Sequence, residues 1–137
     1  MKRYIVSALC LILILFIASQ IQNKTSCSMD FQKEQLVITG PENTDPIILD
    51  YRNVRSVALL ESYTAGELIS GISNRRLNFG KYKNDLYGEY SLCAVPSIPT
   101  AIEIQTDSEV IVFNYESAEV TDKLCDTLQS FIAQKQQ

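Results

Sequence analysis

The stretch "AIEIQTDSEVIVFNYESAEVTDKLCDTLQSFI", residues 101–132, sets the fold class of this chain. It contains two runs with a two-residue period, 101–106 and 110–115, on either side of the polar pair Asp107-Ser108. That period is typical of strands that bury one face, and a short polar turn between two such runs predicts a β-hairpin.

The same stretch then changes its period and predicts a C-terminal helix over residues 117–134. Ser117 is a suitable N-cap, and Glu119 and Asp122 lie near the positive end of the helix dipole. Apolar residues recur at helical spacing and form one stripe: Val120, Leu124, Leu128, Phe131 and Ile132. We therefore expect the helix to close over a β core, since burial of each such side chain contributes about 1.5–3 kcal/mol.

A second hairpin is predicted upstream by "NFGKYKNDLYGEYSL", residues 78–92. Two segments flank the turn formers Asn84-Asp85, and Tyr90, Leu92 and Ala94 alternate with their neighbours. Aromatic residues are enriched in strands because they fit a pleated, half-buried surface. The rings in this stretch therefore need no ligand to explain them.

The remaining domain is also predicted to be β-rich. The segments "QLVITG", "IILDY" and "RSVALLES" are predicted strands, with turn formers at residues 41–46 between the first two. Residues 63–74 carry two glycines and are predicted as a loop or short helical turn, and the prolines in "VPSIPT" should interrupt the sheet. About seven antiparallel strands and the helix would make one mainly β domain over residues 36–134.

The N-terminal residues 1–22 form a hydrophobic helix in this prediction. Lys2 and Arg3 precede an uncharged segment that fits either a signal peptide or a transmembrane anchor, with the anchor favoured because the small-residue cleavage signal is poor. The basic pair should stay in the cytoplasm. We expect a membrane-anchored protein with residues 23–35 as a tether and the domain extracytoplasmic, or a secreted domain if the segment is cleaved.

Composition argues against most catalytic chemistry. The chain contains no histidine, which is the usual general base and a common metal ligand. It has no glycine-rich phosphate loop, so we expect no enzyme activity, no metal and no cofactor. The net charge of −4 argues against a nucleic-acid partner, which would need a basic face.

The four cysteines leave two interpretations open. Cys10 lies in the apolar segment, and Cys27 in the predicted tether can be a free thiol. In an exported domain Cys93 and Cys125 can form a disulfide, or they can pack as separate thiols. No CxxC motif supports a zinc site or a thioredoxin-like site.

The order of strands followed by one helix resembles the bacterial pleckstrin-homology-like (PH-like) family. The residues that carry this resemblance are "IILDYRNVRSVALLE", "NFGKYKNDLYGEYSL" and the hairpin and helix described above. The resemblance covers about residues 36–133. It implies a PH-like roll or barrel that is tethered to or near a membrane, and it supplies no catalytic residues.

These expectations predict a non-catalytic, membrane-anchored binding or assembly module. Its ligand would be a protein, a peptide or an anionic group, and the candidate binding residues are the basic side chains Arg75, Arg76, Lys81 and Lys83. A partner could also add a strand to a sheet edge. The alternative is an extracytoplasmic regulator or inhibitor that inserts the loop at residues 39–46 or 96–99 into a partner.

Overall fold

The computed structural model describes residues 27–41 and 43–135, and the hydrophobic segment predicted at residues 1–22 lies outside them. The described residues form nine strands, a short 3-10 helix and one α-helix. The elements are β1 (Ser28–Phe31), β2 (Gln35–Thr39), β3 (Ile47–Asp50), the 3-10 helix (Tyr51–Asn53), β4 (Val54–Leu60), β5 (Glu67–Ser73), β6 (Asn78–Asn84), β7 (Gly88–Ala94), β8 (Ala101–Thr106), β9 (Val110–Phe113) and α1 (Ala118–Lys135).

The strands form two sheets, which confirms the mainly β class with a C-terminal helix. The three-stranded sheet has the order β1-β2-β3, and the six-stranded sheet has the order β4-β8-β9-β7-β6-β5. The strand number exceeds the expected seven, and one pair, β7 with β9, is parallel rather than antiparallel. This pairing follows from the order of the strands. The proline-containing loop at 95–100 connects β7 to β8 but leaves a space between them, and β9 then occupies that space.

The main core lies between the two sheets and α1. It includes Leu36 and Ile38 of the three-stranded sheet, Phe79 and Phe113 of the six-stranded sheet, and Leu128 of the helix, all fully buried. A smaller cluster covers the opposite face of the six-stranded sheet. There the loop residues Tyr63 and Ala65 pack over buried residues that include Tyr82, Tyr90, Leu92 and Val112.

Helix α1 is a lid on the β core, as predicted. The Val120 N–H donates to Ser117 Oγ at 3.1 Å, which confirms the N-cap. On the buried side Phe131 meets Tyr51 edge to face with ring centroids 5.0 Å apart. On the rim, Gln129 Nε2 donates to the Val57 carbonyl at 2.8 Å, so the helix is also tied to β4.

The segment predicted as a tether contributes to the fold. β1 lies within residues 23–35 and pairs antiparallel with β2, with Met29 opposite Ile38. Met29 and Cys27 are buried in the main core. The packed domain therefore reaches at least to Cys27 on its N-terminal side. Among the helices of the described residues, none is long and apolar enough to cross a membrane.

The prediction of a loop or helical turn at residues 63–74 is wrong for most of that range, because β5 pairs with β6 from Glu67 to Ser73. Gly71 lies opposite Gly80, with φ of +133° and +137° respectively. A Cβ atom on Gly80 would lie 2.1 Å from the Ser70 carbonyl oxygen. Glycine has a low strand propensity and usually indicates a break in a strand. Here the two glycines instead allow two strand backbones to approach closely.

The predicted interruption at residues 95–100 is confirmed, and a buried amide holds this loop. Asn114 Oδ1 accepts from the Val95 N–H at 2.7 Å, and its Nδ2 donates to the Ile98 carbonyl at 3.1 Å. Because Asn114 is itself buried, these bonds replace the water that the loop backbone would otherwise need.

Candidate binding cleft between two sheet edges

The four basic residues predicted to bind a ligand do not form one cluster. Arg75 and Arg76 are exposed in the turn between β5 and β6, whereas Lys81 and Lys83 lie along β6. At about 3.4 Å per strand residue, roughly 24 Å of chain separates Arg76 from Lys83. A single small anion cannot contact both ends of this set.

Lys81 is already paired. Its Nζ donates to Glu109 Oε2 at 2.6 Å and to Ser91 Oγ at 2.9 Å, and the Ser91 hydroxyl donates to the same carboxylate oxygen at 3.1 Å. This network joins β6, β7 and the start of β9 on one face of the six-stranded sheet. Its role is to orient the three side chains, since a partly exposed ion pair contributes only about 0–1 kcal/mol.

Lys83 is flanked by carboxylates. It lies opposite Glu67 on β5 and opposite Glu89 on β7, and residues that are directly opposite in a ladder share a face of the sheet. Its charge is therefore offset locally. Of the four predicted basic residues, the exposed Arg75 and Arg76 lie furthest along the sheet from these acidic groups.

A cleft of about 350 Å³ opens between the two sheets beside Lys81. We call it the edge cleft. It is lined by Asn43, Thr44, Asp45, Pro46, Ile47, Ile48, Ser70, Gly71, Ile72, Gly80, Lys81, Ser91 and Glu109. One wall is thus the turn before β3 with the start of that strand, and the other is β5 with β6.

The cleft exists because two outer strands meet there. β3 ends the three-stranded sheet and β5 ends the six-stranded sheet, so neither is covered by a further strand of the described chain. Gly71 and Gly80 bring no side chains to fill the gap. On the other wall Asn43 adopts φ of +69° and the Thr44 hydroxyl donates to the Pro41 carbonyl, which fixes the turn.

The charge of the edge cleft is close to balanced. The ammonium of Lys81 is compensated by Glu109, and Asp45 adds one further carboxylate to the lining. A site for an anion would instead need uncompensated cations or convergent N–H donors. The cleft is better suited to a neutral or basic group.

The β5 edge beside the cleft is exposed along almost its whole length. Leu68 and Ile69 are 39 % and 46 % exposed, which is unusual for large apolar side chains on a strand. The ladder is irregular between Leu68 and Ser70, where Ile69 has no residue opposite. Such a bulge protects an edge from pairing, whereas the following segment, Ser70–Ser73, has no bulge, charge or proline.

A second cleft of about 340 Å³ lies on the opposite face of the six-stranded sheet. Its lining includes Tyr63, Leu86, Tyr87 and Glu103. The Tyr87 hydroxyl donates to Glu103 Oε2, and burial, followed by the neighbouring carboxylate, raises the pKa of Tyr87. The phenol is therefore a neutral donor at ordinary pH and holds the rim of this cleft in place.

The sequence left open whether Cys93 and Cys125 form a disulfide or pack as separate thiols, and the structure brings Cys93 to a third cysteine. Cys93 Sγ lies 3.5 Å from Cys27 Sγ, and both residues are buried. Cys125 is buried on α1, where burial raises the pKa of its thiol to about 11. The structure thus places Cys27, and not Cys125, at the sulfur of Cys93. Sequence reasoning missed this contact because it assigned Cys27 to a tether.

The described residues contain no metal site, and no known family matches the chain. Within residues 27–41 and 43–135, no group of cysteine or acidic side chains is arranged to hold a metal ion. Comparisons with protein-family models, with curated proteins and with solved structures found no match to this chain.

Proposed function

We propose that the protein is a non-catalytic, membrane-anchored module that binds an extended peptide segment of a partner protein along the β5 edge of the edge cleft. One observation carries this proposal. β5 is an outer strand, exposed along almost its whole length, and its residues 70–72 form a wall of the cleft.

Strand addition supplies the binding energy in this proposal. An extended peptide that pairs with an outer strand gains main-chain hydrogen bonds, and pockets for alternate side chains provide selectivity. The regular segment Ser70–Ser73 offers room for about four peptide residues at 3.3–3.4 Å each. Side chains that point inward from such a peptide would enter the space between β5 and the turn at residues 43–46.

The cleft chemistry favours one class of peptide. Asp45 gives the lining an excess negative charge, and Ile48 is 52 % exposed beside it. A segment that combines a basic side chain with an apolar one would satisfy both groups. An acidic or phosphorylated segment would meet repulsion, since Lys81 is already paired with Glu109.

The cellular setting is part of the proposal. The N-terminal segment would hold the domain on the extracytoplasmic side of a membrane, or would be removed to release it. A PH-like roll remains our preferred family assignment. The helix that closes a β core supports it, and the parallel pairing of β7 with β9 is a departure from an all-antiparallel roll. A regulator or inhibitor of a partner protein is the alternative, and the turn at 43–46 would then be its contact loop.

Site-specific photocrosslinking tests the binding surface. A photoreactive residue at Ser73 on β5, in the full chain in native membranes, should give one discrete protein adduct. Ser70→Lys should abolish that adduct, because a charged side chain at the edge opposes strand pairing. The matched control is Ser56→Lys on β4, the outer strand at the other end of the same sheet, and it should leave the adduct intact. An adduct that survives Ser70→Lys would refute the proposal.

The anionic-ligand alternative is tested separately. Arg75 and Arg76 are exposed, whereas Lys81 pairs with Glu109 and Lys83 lies opposite Glu67 and Glu89. The double variant Arg75→Ala, Arg76→Ala therefore addresses this alternative most directly. If a peptide is the ligand, retention of the protein on anionic liposomes should not change and the crosslink should persist. Loss of retention with no crosslink in either protein would favour an anionic surface instead.

A further inference from the structure

Two cysteines that are distant in the chain meet between the two sheets. Cys27 directly precedes β1, and Cys93 lies on β7 in the interior of the six-stranded sheet. Their sulfur atoms are 3.5 Å apart although 66 positions separate them in sequence. Cys27 is 6 % exposed and Cys93 is 3 % exposed, so both sulfur atoms are enclosed by the main core.

We propose that Cys27 and Cys93 form a disulfide that ties the N-terminal strand of the domain to the six-stranded sheet. This inference does not depend on the edge cleft or on its ligand.

The geometry requires only a small adjustment. A disulfide has an S–S length of about 2.05 Å, so the two sulfur atoms must approach by about 1.5 Å. Cys93 is fixed in the ladder between Phe79 on β6 and Phe113 on β9. Cys27 instead precedes a four-residue outer strand, and a small gap lined by Met29, Leu77 and Tyr115 adjoins the two sulfurs. The movement can therefore come from the N-terminal side.

The chemistry is thiol–disulfide exchange. One cysteine thiolate attacks an oxidising disulfide such as oxidised glutathione, which forms a mixed disulfide and releases one thiol. The second cysteine thiolate then attacks the mixed disulfide and releases the second thiol. The two cysteines lose two electrons and two protons, and the external disulfide gains them.

The bond should form during folding rather than afterwards. In the folded protein, the hydrogen bond to Cys27 and then burial raise the pKa of the Cys93 thiol, which leaves little of the reactive thiolate. In an unfolded chain both thiols have ordinary reactivity. Oxidant supplied during refolding should therefore close the bond faster than the same oxidant added to the folded, reduced protein.

Peptide mapping tests the pairing directly. The full chain in detergent is refolded with oxidised and reduced glutathione, denatured, alkylated without a reductant and digested with trypsin. Cleavage after lysine gives peptides 25–33, 84–123 and 124–135, each of which contains one cysteine. We expect 25–33 linked to 84–123, and alkylated Cys125 in 124–135. A link between 84–123 and 124–135, or alkylation of all three cysteines, would overturn the proposal.

A thermal measurement provides a second readout with a matched control. Closure of this long loop should raise the Tm by roughly 10 °C, so a reductant should lower the Tm of the oxidised protein by that amount. Cys125→Ser should keep both the link and the reductant effect. Cys27→Ser should lose both, and a reductant effect of equal size in that variant would contradict the assignment.

Discussion

At the scale of single residues, the facing glycines of β5 and β6 determine whether the edge cleft can form. Gly71 and Gly80 are directly opposite in the ladder and both have positive φ. For each, a Cβ atom would lie 2.1 Å from a backbone oxygen of the facing strand. A side chain at either position must therefore push the two backbones apart as well as adopt an unfavourable conformation.

Gly80→Ala should lower the free energy of unfolding by about 3 kcal/mol, because conformational strain adds to the clash with Ser70. The control is Gly88→Ala at the first residue of β7. Gly88 also has positive φ, at +71°, but its Cβ would meet nothing within 4 Å. That variant should lose only about 1 kcal/mol. Urea unfolding of both variants measures the difference, and equal losses would show that the close approach is not what selects glycine.

At the scale of elements, α1 stabilises the domain through one buried stripe. Leu124 and Leu128 are essentially inaccessible to solvent and pack in the main core, whereas the opposite side of the helix is exposed. Most of the stability of a helix in a protein comes from such packing, and intrinsic propensity adds little. The helix should consequently unfold together with the sheets.

Leu128→Ala should lower the free energy of unfolding by about 3 kcal/mol, since it removes buried methyl groups and leaves a cavity. Ser130→Ala on the exposed side of the same helix should change it by less than about 0.5 kcal/mol. Far-UV circular dichroism and tyrosine fluorescence should report one shared transition in the Leu128 variant. Earlier loss of the helical signal would mean that α1 docks independently of the β core.

At the scale of the whole molecule, the six-stranded sheet is covered unequally on its two faces. One face carries the three-stranded sheet and α1, and the other carries the loop at residues 61–66 over a layer of tyrosines. The Tyr90 hydroxyl donates to the Ala65 carbonyl at 2.7 Å, so a phenol holds this loop on the sheet. The hydrogen bond that holds this loop should therefore be sensitive to conditions that ionise the Tyr90 phenol.

Alkaline pH should therefore destabilise the protein. Burial raises the pKa of Tyr90 from 10.0 to about 12. The stabilising effect of the protonated folded state is fully present below pH 10 and is lost as pH rises towards 12, because the unfolded chain releases the proton first. Tyr90→Phe should reduce stability at pH 7 by about 1 kcal/mol and make the decline between pH 10 and 12 shallower. An unchanged decline would assign the effect to other tyrosines.

The sequence determined the elements whose stability depends on local pattern. The hairpin predicted from the period of two at 101–106 and 110–115 is confirmed, although its second strand ends at Phe113. The turn formers at 84–85, the prolines at 95–100 and the capped helix stripe are also confirmed, because backbone preference and one-sided burial favour the same structure there. The glycine-rich β5 strand could not be predicted in this way. Its stability comes from its pairing with β6, and only that partner explains why Gly71 is favourable.

The tertiary structure alone decided the contacts that are distant along the chain. It separated Arg76 from Lys83, paired Lys81 with Glu109, placed Cys27 against Cys93 and opened a cleft between β3 and β5. None of these contacts produces a periodic pattern in the sequence, because each depends on the order in which strands assemble into sheets. Local propensities cannot encode that order, since it is set by which faces can be buried together once the whole chain has collapsed.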